Sequence, residues 1–416
     1  MFSSLDHASH SARKRHLSNV YAKSTLQTSP ALAGITKYIL HDGLLPRIAN
    51  SKNGVTEAYE LFNAVALDNV TAYIYGYKNG SKFLQDPVYS MEWLLRFKSR
   101  QPFAFWFQEM PGLRAIFDKL GLKNLLVPRW VDEANTDMGD WCLSMGDAAE
   151  ATIKTGNITD PADEPVVYRQ LRNALIKKST TKQDDSITPE QRVEIASEML
   201  DNLLAGFDTS GITLTYLAWE LSKPQHSGIQ EKLREELLYL SPNFQSKTEV
   251  PFSKNTDTLP WLHAIIMETL RLHAAIPGNQ PRTTPANATL GPPGCEIHNL
   301  PAGIRVQSQA YSLHRNPSVF PDSETWQPER WIDLKTGQID SGGEKARWFW
   351  AFSSGGRMCV GSNLAMSQMK DVVAAVWSNY RTTIVDDKGM VHNGGYMAGP
   401  LGTKEGTFLK LRFLPL

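Results

Sequence analysis

Three cysteines in 416 residues, Cys142, Cys295 and Cys359, are too few and too scattered for a disulfide scaffold. None stands in a Cys-x-x-Cys pair, which also argues against a thiolate zinc site. A reducing, intracellular setting is the simplest expectation from such usage. No stretch reaches the roughly 20 apolar residues of a membrane-spanning helix. The opening Met-Phe-Ser-Ser-Leu-Asp-His is polar from the start, so no signal peptide is visible. An excess of one charge is missing too. Lysine and arginine number 43, as do aspartate and glutamate, so no polyanionic partner and no nucleic acid is expected. Internal repeats are absent. The sequons at Asn69, Asn79, Asn157 and Asn287 are read as chance matches.

What is present is a long run of helical pattern. Residues 6–30 carry the basic cluster Arg13-Lys14-Arg15 and predict a helix; 56–76 and 88–121 predict amphipathic helices with aromatic faces. Residues 176–187 read as a polar linker. Thr188-Pro189-Glu190-Gln191 then combines an N-cap, a proline at the first helical position and a capping-box partner. The helix it starts should run to Ser222, just before Lys223-Pro224, a length of roughly 50 Å. Its apolar positions are wide enough to demand burial on more than one face. Helices are also predicted at about 228–240, 259–273 and 361–380. From 274 onward prolines, glycines and β-prone pieces appear, including 303–311 and the tail 407–413. The expected fold class is mainly α with a smaller β-rich part (α+β). The expected organisation is one domain over 1–416, a helix-rich body at about 6–273 interwoven with a mixed part at about 274–416.

Residues 352–361 read Phe-Ser-Ser-Gly-Gly-Arg-Met-Cys-Val-Gly. A lone cysteine is ordinarily a small buried hydrophobe. Here Phe352, Gly355, Arg357, Cys359 and Gly361 stand at set spacings that chance produces on the order of once in several million starts. Glycines before the cysteine allow a tight turn and close approach to a flat group. A helix starting just after Cys359 aims its positive end at the sulfur and favours thiolate. Arg357 is placed to neutralise a carboxylate.

This segment resembles the haem-binding loop of the cytochrome P450 family, and further motifs follow in that family's order. The resemblance implies that Cys359 is the thiolate ligand of a heme b iron, with Phe352, Gly355, Arg357 and Gly361 forming the cradle. It implies that Glu268-Thr-Leu-Arg271 and Arg330, in Trp326-Gln-Pro-Glu-Arg-Trp331, form a buried structural trio. On spacing alone, Glu268 and Arg271 could equally be a surface ion pair on one helix face. In Ala205-Gly206-Phe207-Asp208-Thr209-Ser210, the resemblance gives Gly206 the task of leaving room over the iron. Asp208 and Thr209 then relay protons; the bland reading is a local kink. Arg282, with His10 and Lys14 on the first helix, is expected to bind haem propionates. Many family members carry tryptophan and arginine at the two latter positions. A metal site at His7 and His10 is disfavoured, because no third ligand completes it.

The resemblance covers about residues 6–415 and is strongest to fungal members serving secondary metabolism. It implies a monooxygenase that inserts one oxygen atom from dioxygen into an apolar small molecule. Electrons would come from NADPH-cytochrome P450 reductase, docked on Arg13, Lys14, Arg15 and Lys370. Pocket-lining candidates are Leu204, Ala205, Ala275, Ile276 and Met397, within 203–209, 274–280 and 396–403. Family members of this kind sit on the endoplasmic reticulum membrane. Their anchor, hinge and first helices would precede the basic helix, so the chain is expected to be amino-terminally truncated, lacking part of the first sheet and a wall of the pocket. Two alternatives differ in class: a haem-thiolate isomerase or dehydratase, which would not need Asp208-Thr209, and an inactive haem-binding fragment.

Overall fold

The computed structural model describes residues 7–178, 186–240, 256–340, 342–393 and 398–416. The helical body begins with α1 (His7–Leu17), α2 (Lys23–Gln27) and α3 (Pro30–Lys37), which a π-helical stretch carries into α4 (Leu45–Ala49). A short strand β1 (Val55–Glu57) leads into α5 (Ala58–Tyr75). Then come α6 (Pro87–Arg100), α7 (Ala104–Gln108), α8 (Pro111–Lys119), α9 (Arg129–Thr155), α10 (Val166–Lys178), α11 (Pro189–Ser222), α12 (Ser227–Leu240) and α13 (Pro260–Leu272). The mixed part holds β2 (Asn279–Thr283), β3 (Ala288–Leu290), β4 (Ile297–Leu300), β5 (Arg305–Gln309) and α14 (Ala310–Leu313). It closes with α15 (Glu344–Trp348), α16 (Ser362–Asn379), β6 (Tyr380–Asp386) and β7 (Lys410–Pro415). The fold is therefore mainly α with small antiparallel sheets, as the sequence predicts.

Local chemistry sets α11. The Thr188 side chain accepts from the Gln191 amide at 3.3 Å, and the Gln191 side chain accepts from the Thr188 amide at 2.9 Å. This reciprocal box satisfies two amides that a helix start leaves unpaired. Pro224 follows the last turn and stops the helix. From Phe207 onward nearly every residue of α11 is buried, so it runs through the core.

Helix α5 departs from expectation. It is not amphipathic: all 18 of its residues are buried. Most of its polar side chains find local partners, although Asn63 Oδ1 and Glu60 Oε1 have none among the described residues. Asn63, Asn69 and Thr71 each donate to the carbonyl four residues back, at 2.7, 3.0 and 2.8 Å. Asp68 accepts from the amides of Phe83 and Leu84 at 2.9 Å each. Other predicted long helices break at identifiable points. The helix at 6–30 splits between Leu17 and Lys23. The one at 88–121 splits at Gln101-Pro102 and again before Pro111, because proline cannot continue a helix but starts one well. The linker expected at 176–187 overlaps the end of α10, and its middle lies outside the described residues.

The strands tie the two halves together. β1 pairs antiparallel with β7, Val55 opposite Arg412, and β7 pairs with β6. The Glu57 carboxylate accepts from the amides of Phe408 and Leu409 at 3.0 and 2.9 Å. One apolar core consequently draws on residues from Leu17 to Phe413. Among the described residues, no helix is long and apolar enough to cross a membrane.

Candidate functional site

The cysteine loop is closed by its own backbone. The Cys359 amide donates to the Phe352 carbonyl at 2.9 Å, and the Met358 amide to the Gly355 carbonyl at 3.0 Å. Gly355 holds this turn with φ of +68°, a conformation a side chain resists. A Cβ added at Gly355, Gly356 or Gly361 would meet nothing within 4 Å, so the glycine face of the loop is open. That leaves space for a flat group against the backbone. Phe352, Arg357 and Gly361 are half-buried.

Cys359 itself has an exposed side chain, although protein surrounds it closely enough to push its thiol pKa up. Three features pull the other way: the Gly361 and Ser362 amides at the start of α16, and the Lys14 ammonium. The helix start thus favours thiolate, as its polarity requires. Unliganded, burial outweighs these donors. A cation bonded to the sulfur would reverse that balance.

Basic side chains converge on the loop. Lys14 Nζ donates to the carbonyls of Gly356 at 3.1 Å and Met358 at 2.7 Å. Arg282 on β2 donates to Ser353 Oγ at 3.1 Å and to the Pro281 carbonyl at 2.9 Å. His10 is buried on α1. Tyr21 stitches the neighbouring elements together. Its hydroxyl donates to Asn202 Oδ1 on α11 at 3.0 Å, and its carbonyl accepts from Asn363 on α16 at 3.1 Å.

The Glu268 trio meets in the core. Arg271 donates to both Glu268 oxygens, at 2.8 and 2.7 Å, and Arg330 Nε donates to Oε1 at 3.3 Å. Sequence reasoning missed two members of this network. The Trp331 indole donates to Glu268 Oε2 at 3.0 Å, and the Gln327 amide to Oε1 at 2.9 Å. Arg271 spends its remaining donors on the carbonyls of His314, Ser323 and Thr325. His314 then links this network to the cysteine loop's approach: Nδ1 donates to the Arg271 carbonyl at 2.8 Å, and Nε2 accepts from the Trp350 amide at 2.7 Å. Its segment, His314-Arg-Asn-Pro317, carried only a weak signal.

Midway along α11 the chain divides its faces. Ala205 is exposed and Thr209 half-buried, one helical turn apart. Thr209 Oγ1 donates to the Ala205 carbonyl at 2.8 Å. Asp208 points elsewhere and is 1% exposed. Its Oδ2 accepts from Gln101 at 3.1 Å, and among the described residues its Oδ1 has no hydrogen-bond partner. Burial raises its pKa to about 6, against the pull of Lys98, Gln101 and Arg100 from the α6 end.

Two expectations need correction. Gly206 does not leave open room: a Cβ there would lie 2.7 Å from Val70 Cγ2, so the glycine serves the close packing of α11 on α5. Lys370 is no surface cation. It is buried on α16 and paired with Asp257 at 2.9 Å, because α16 is covered on nearly every side. Of the other basic candidates, Arg13 lies 3.4 Å from Glu198, and Arg15 is exposed. Of the pocket candidates, Leu204 and Ile276 are half-buried and Ala275 is buried, while Met397 lies outside the described residues.

An open glycine loop presenting one cysteine, with an exposed Ala205 and a half-buried Thr209 on the long helix, has the form expected of a haem-thiolate protein. The cytochrome P450 family profile matches residues 162–401, and the chain belongs to that family. A cytochrome P450 monooxygenase of Aspergillus versicolor is 27% identical over 364 residues, 86% of this chain and 78% of that protein. Another, from Penicillium crustosum, is 25% identical over 401 residues, 93% of this chain and 83% of its own length. A benzoate 4-monooxygenase of Aspergillus niger is 28% identical over 260 residues, 62% of this chain and 47% of that enzyme. The chain is a P450 monooxygenase.

Proposed function

We propose that Cys359 ligates a heme b iron and that the enzyme oxygenates an apolar small molecule in fungal secondary metabolism. The carrying observation is the exposed Cys359 within a self-closed loop whose glycine face is open. When bound, a haem with a thiolate ligand supplies dioxygen activation, the sulfur donating electron density toward O–O cleavage. The rest is the work of this chain. Phe352, Gly355, Arg357 and Gly361 shape the cradle. Arg282, Arg357, His10 and Lys14 are the cations and donors read as binding the propionates. Lys14 also holds the loop by two of its carbonyls.

Asp208 and Thr209 are proposed to move protons. A carboxyl of pKa about 6 both accepts and releases a proton near neutrality. Its Oδ1, without a hydrogen-bond partner among the described residues, is the atom read as doing so. Thr209 Oγ1 donates its own proton to Ala205, which leaves its lone pairs to accept another. Glu268, Arg271 and Arg330 are read as holding the core beneath the loop. Leu204, Ala205, Ala275 and Ile276 are read as the apolar pocket wall, within one domain spanning the chain. NADPH-cytochrome P450 reductase is the proposed electron donor, steered by Arg15 and its neighbours, at the cytosolic face of the endoplasmic reticulum. A thiolate-type Soret band in the reduced carbon monoxide difference spectrum tests the haem assignment.

A further inference from the structure

Lys98 sits near the end of α6 and bears on the chemistry above through its charge, which pulls the Asp208 pKa down. Its Nζ donates to the Pro400 carbonyl at 2.5 Å, across 302 residues of sequence. It also lies 4.6 Å from the ring centroids of both Tyr59 and Phe408, which pack on each other at 4.6 Å. Four segments therefore meet at one ammonium: α6, α5, the loop at 398–401 and the approach to β7. Burial lowers the Lys98 pKa to about 8, so the group is held inside at a cost.

The carbonyl it grips belongs to a short loop that is bridged through Pro400 to His392. The Ala398 amide donates to the Ala275 carbonyl at 2.9 Å, which ties the loop to the segment after α13. The Leu401 amide donates to Val391 at 2.8 Å and that of Gly402 to Gly389 at 3.0 Å, so these stay within the loop's own hairpin. Lys98 supplies the tie to α6. The fit beneath is close: a Cβ on Gly399 would lie 3.5 Å from Ile212 Cδ1 and 3.6 Å from Tyr59 Oη. Ile212 stands one turn beyond Asp208 on α11, so the loop rests beside the site. A charged donor to a carbonyl, flanked by two rings, is a strong and specific hold.

We propose that Lys98 is a positioning residue that tethers the 398–401 loop to α6 and so sets the size of molecule the pocket admits. The size-setting part rests on the reading that this loop lines the substrate pocket.

The test uses haem-loaded full-length chain as wild type, Lys98→Met and Lys98→Arg. Hydrogen exchange of the amides at 398–403 should speed up on the order of tenfold in Lys98→Met, with α11 and the thermal midpoint unchanged, and Lys98→Arg should restore protection. Spectral titration with imidazole should give equal affinities in all three. Clotrimazole, a bulky azole, should shift in affinity by roughly tenfold in Lys98→Met only. Unchanged exchange in Lys98→Met overturns the tether. Faster exchange with unchanged clotrimazole affinity overturns the size-setting role. A wild type that gives no azole spectrum overturns the haem reading instead. Exchange then still decides the tether.

Discussion

Arg271 grips Glu268 through two parallel hydrogen bonds of 2.8 and 2.7 Å, and neither side chain has any exposed surface. A pair this buried costs desolvation, and here the cost is offset because nearly every donor and acceptor is used. Glu268 alone accepts from Arg271, Arg330, Trp331 and the Gln327 amide. Removing one partner leaves the others charged and unpaired. Glu268→Ala should therefore destabilise the fold by about 3–5 kcal/mol. Chemical denaturation would show this, and a loss below 1 kcal/mol would place the pair among ordinary surface contacts.

Gln101 donates to Asp208 Oδ2 and so favours the carboxylate. Removing that donor raises the Asp208 pKa further above about 6. Gln101→Leu should move the acid limb of reductase-driven NADPH oxidation to higher pH. Asp208→Asn should remove that limb and slow turnover roughly a hundredfold. A limb that stays in place in Gln101→Leu means that Asp208 is not the group titrating.

His314 is buried as the neutral ring, with its pKa pulled down to about 3 by desolvation. Above the unfolded value of about 6.5 this costs no stability. As pH falls below it, the unfolded chain takes up a proton that the folded chain refuses. Between pH 7 and 5 the loss at this site is about 2 kcal/mol. His314→Gln keeps one donor and one acceptor but cannot titrate. The stability gap between wild type and this variant should shift by that amount in urea unfolding at the two pH values. The opposite contribution of raised carboxylates such as Asp208 is common to both proteins and cancels. A gap independent of pH would contradict the buried neutral ring.

Arg15 is exposed on α1, one residue from Lys14 on the cysteine loop. If the reductase docks on this side, Arg15→Glu should slow the first electron transfer several-fold at low salt, and less at high salt. Stopped-flow reduction under carbon monoxide measures it. An unchanged rate at low salt would move the docking face elsewhere.

Much of the fold was legible because its signals are local. Thr188, Pro189 and Gln191 lie within one turn, so the start of α11 could be read from four residues. The spacing of Glu268 and Arg271 likewise puts them on one helix face. What escaped was set by packing. Nothing in the composition of α5 announces burial on every side, because its asparagines and threonine donate to carbonyls within the helix itself. Lys370 reads as a surface cation from sequence, but its partner Asp257 lies 113 residues away and buries it in an ion pair. Gly206 in sequence suggests room for a cofactor, whereas its missing Cβ answers to Val70 on another helix. Lys98 carried no signal at all, since its partner lies 302 residues downstream.

The central claim is that Cys359, alone among three cysteines, is the haem ligand. Cys142 is buried against Tyr75, and burial raises its pKa to about 11; Cys295 is exposed in the turn between β3 and β4. The most direct measurement is the reduced carbon monoxide difference spectrum of the haem-reconstituted chain and its three single Cys→Ser variants. The account predicts a thiolate-type Soret band in the wild type, Cys142→Ser and Cys295→Ser, and its loss in Cys359→Ser only. A band that survives in Cys359→Ser, or is missing from the wild type, would contradict it.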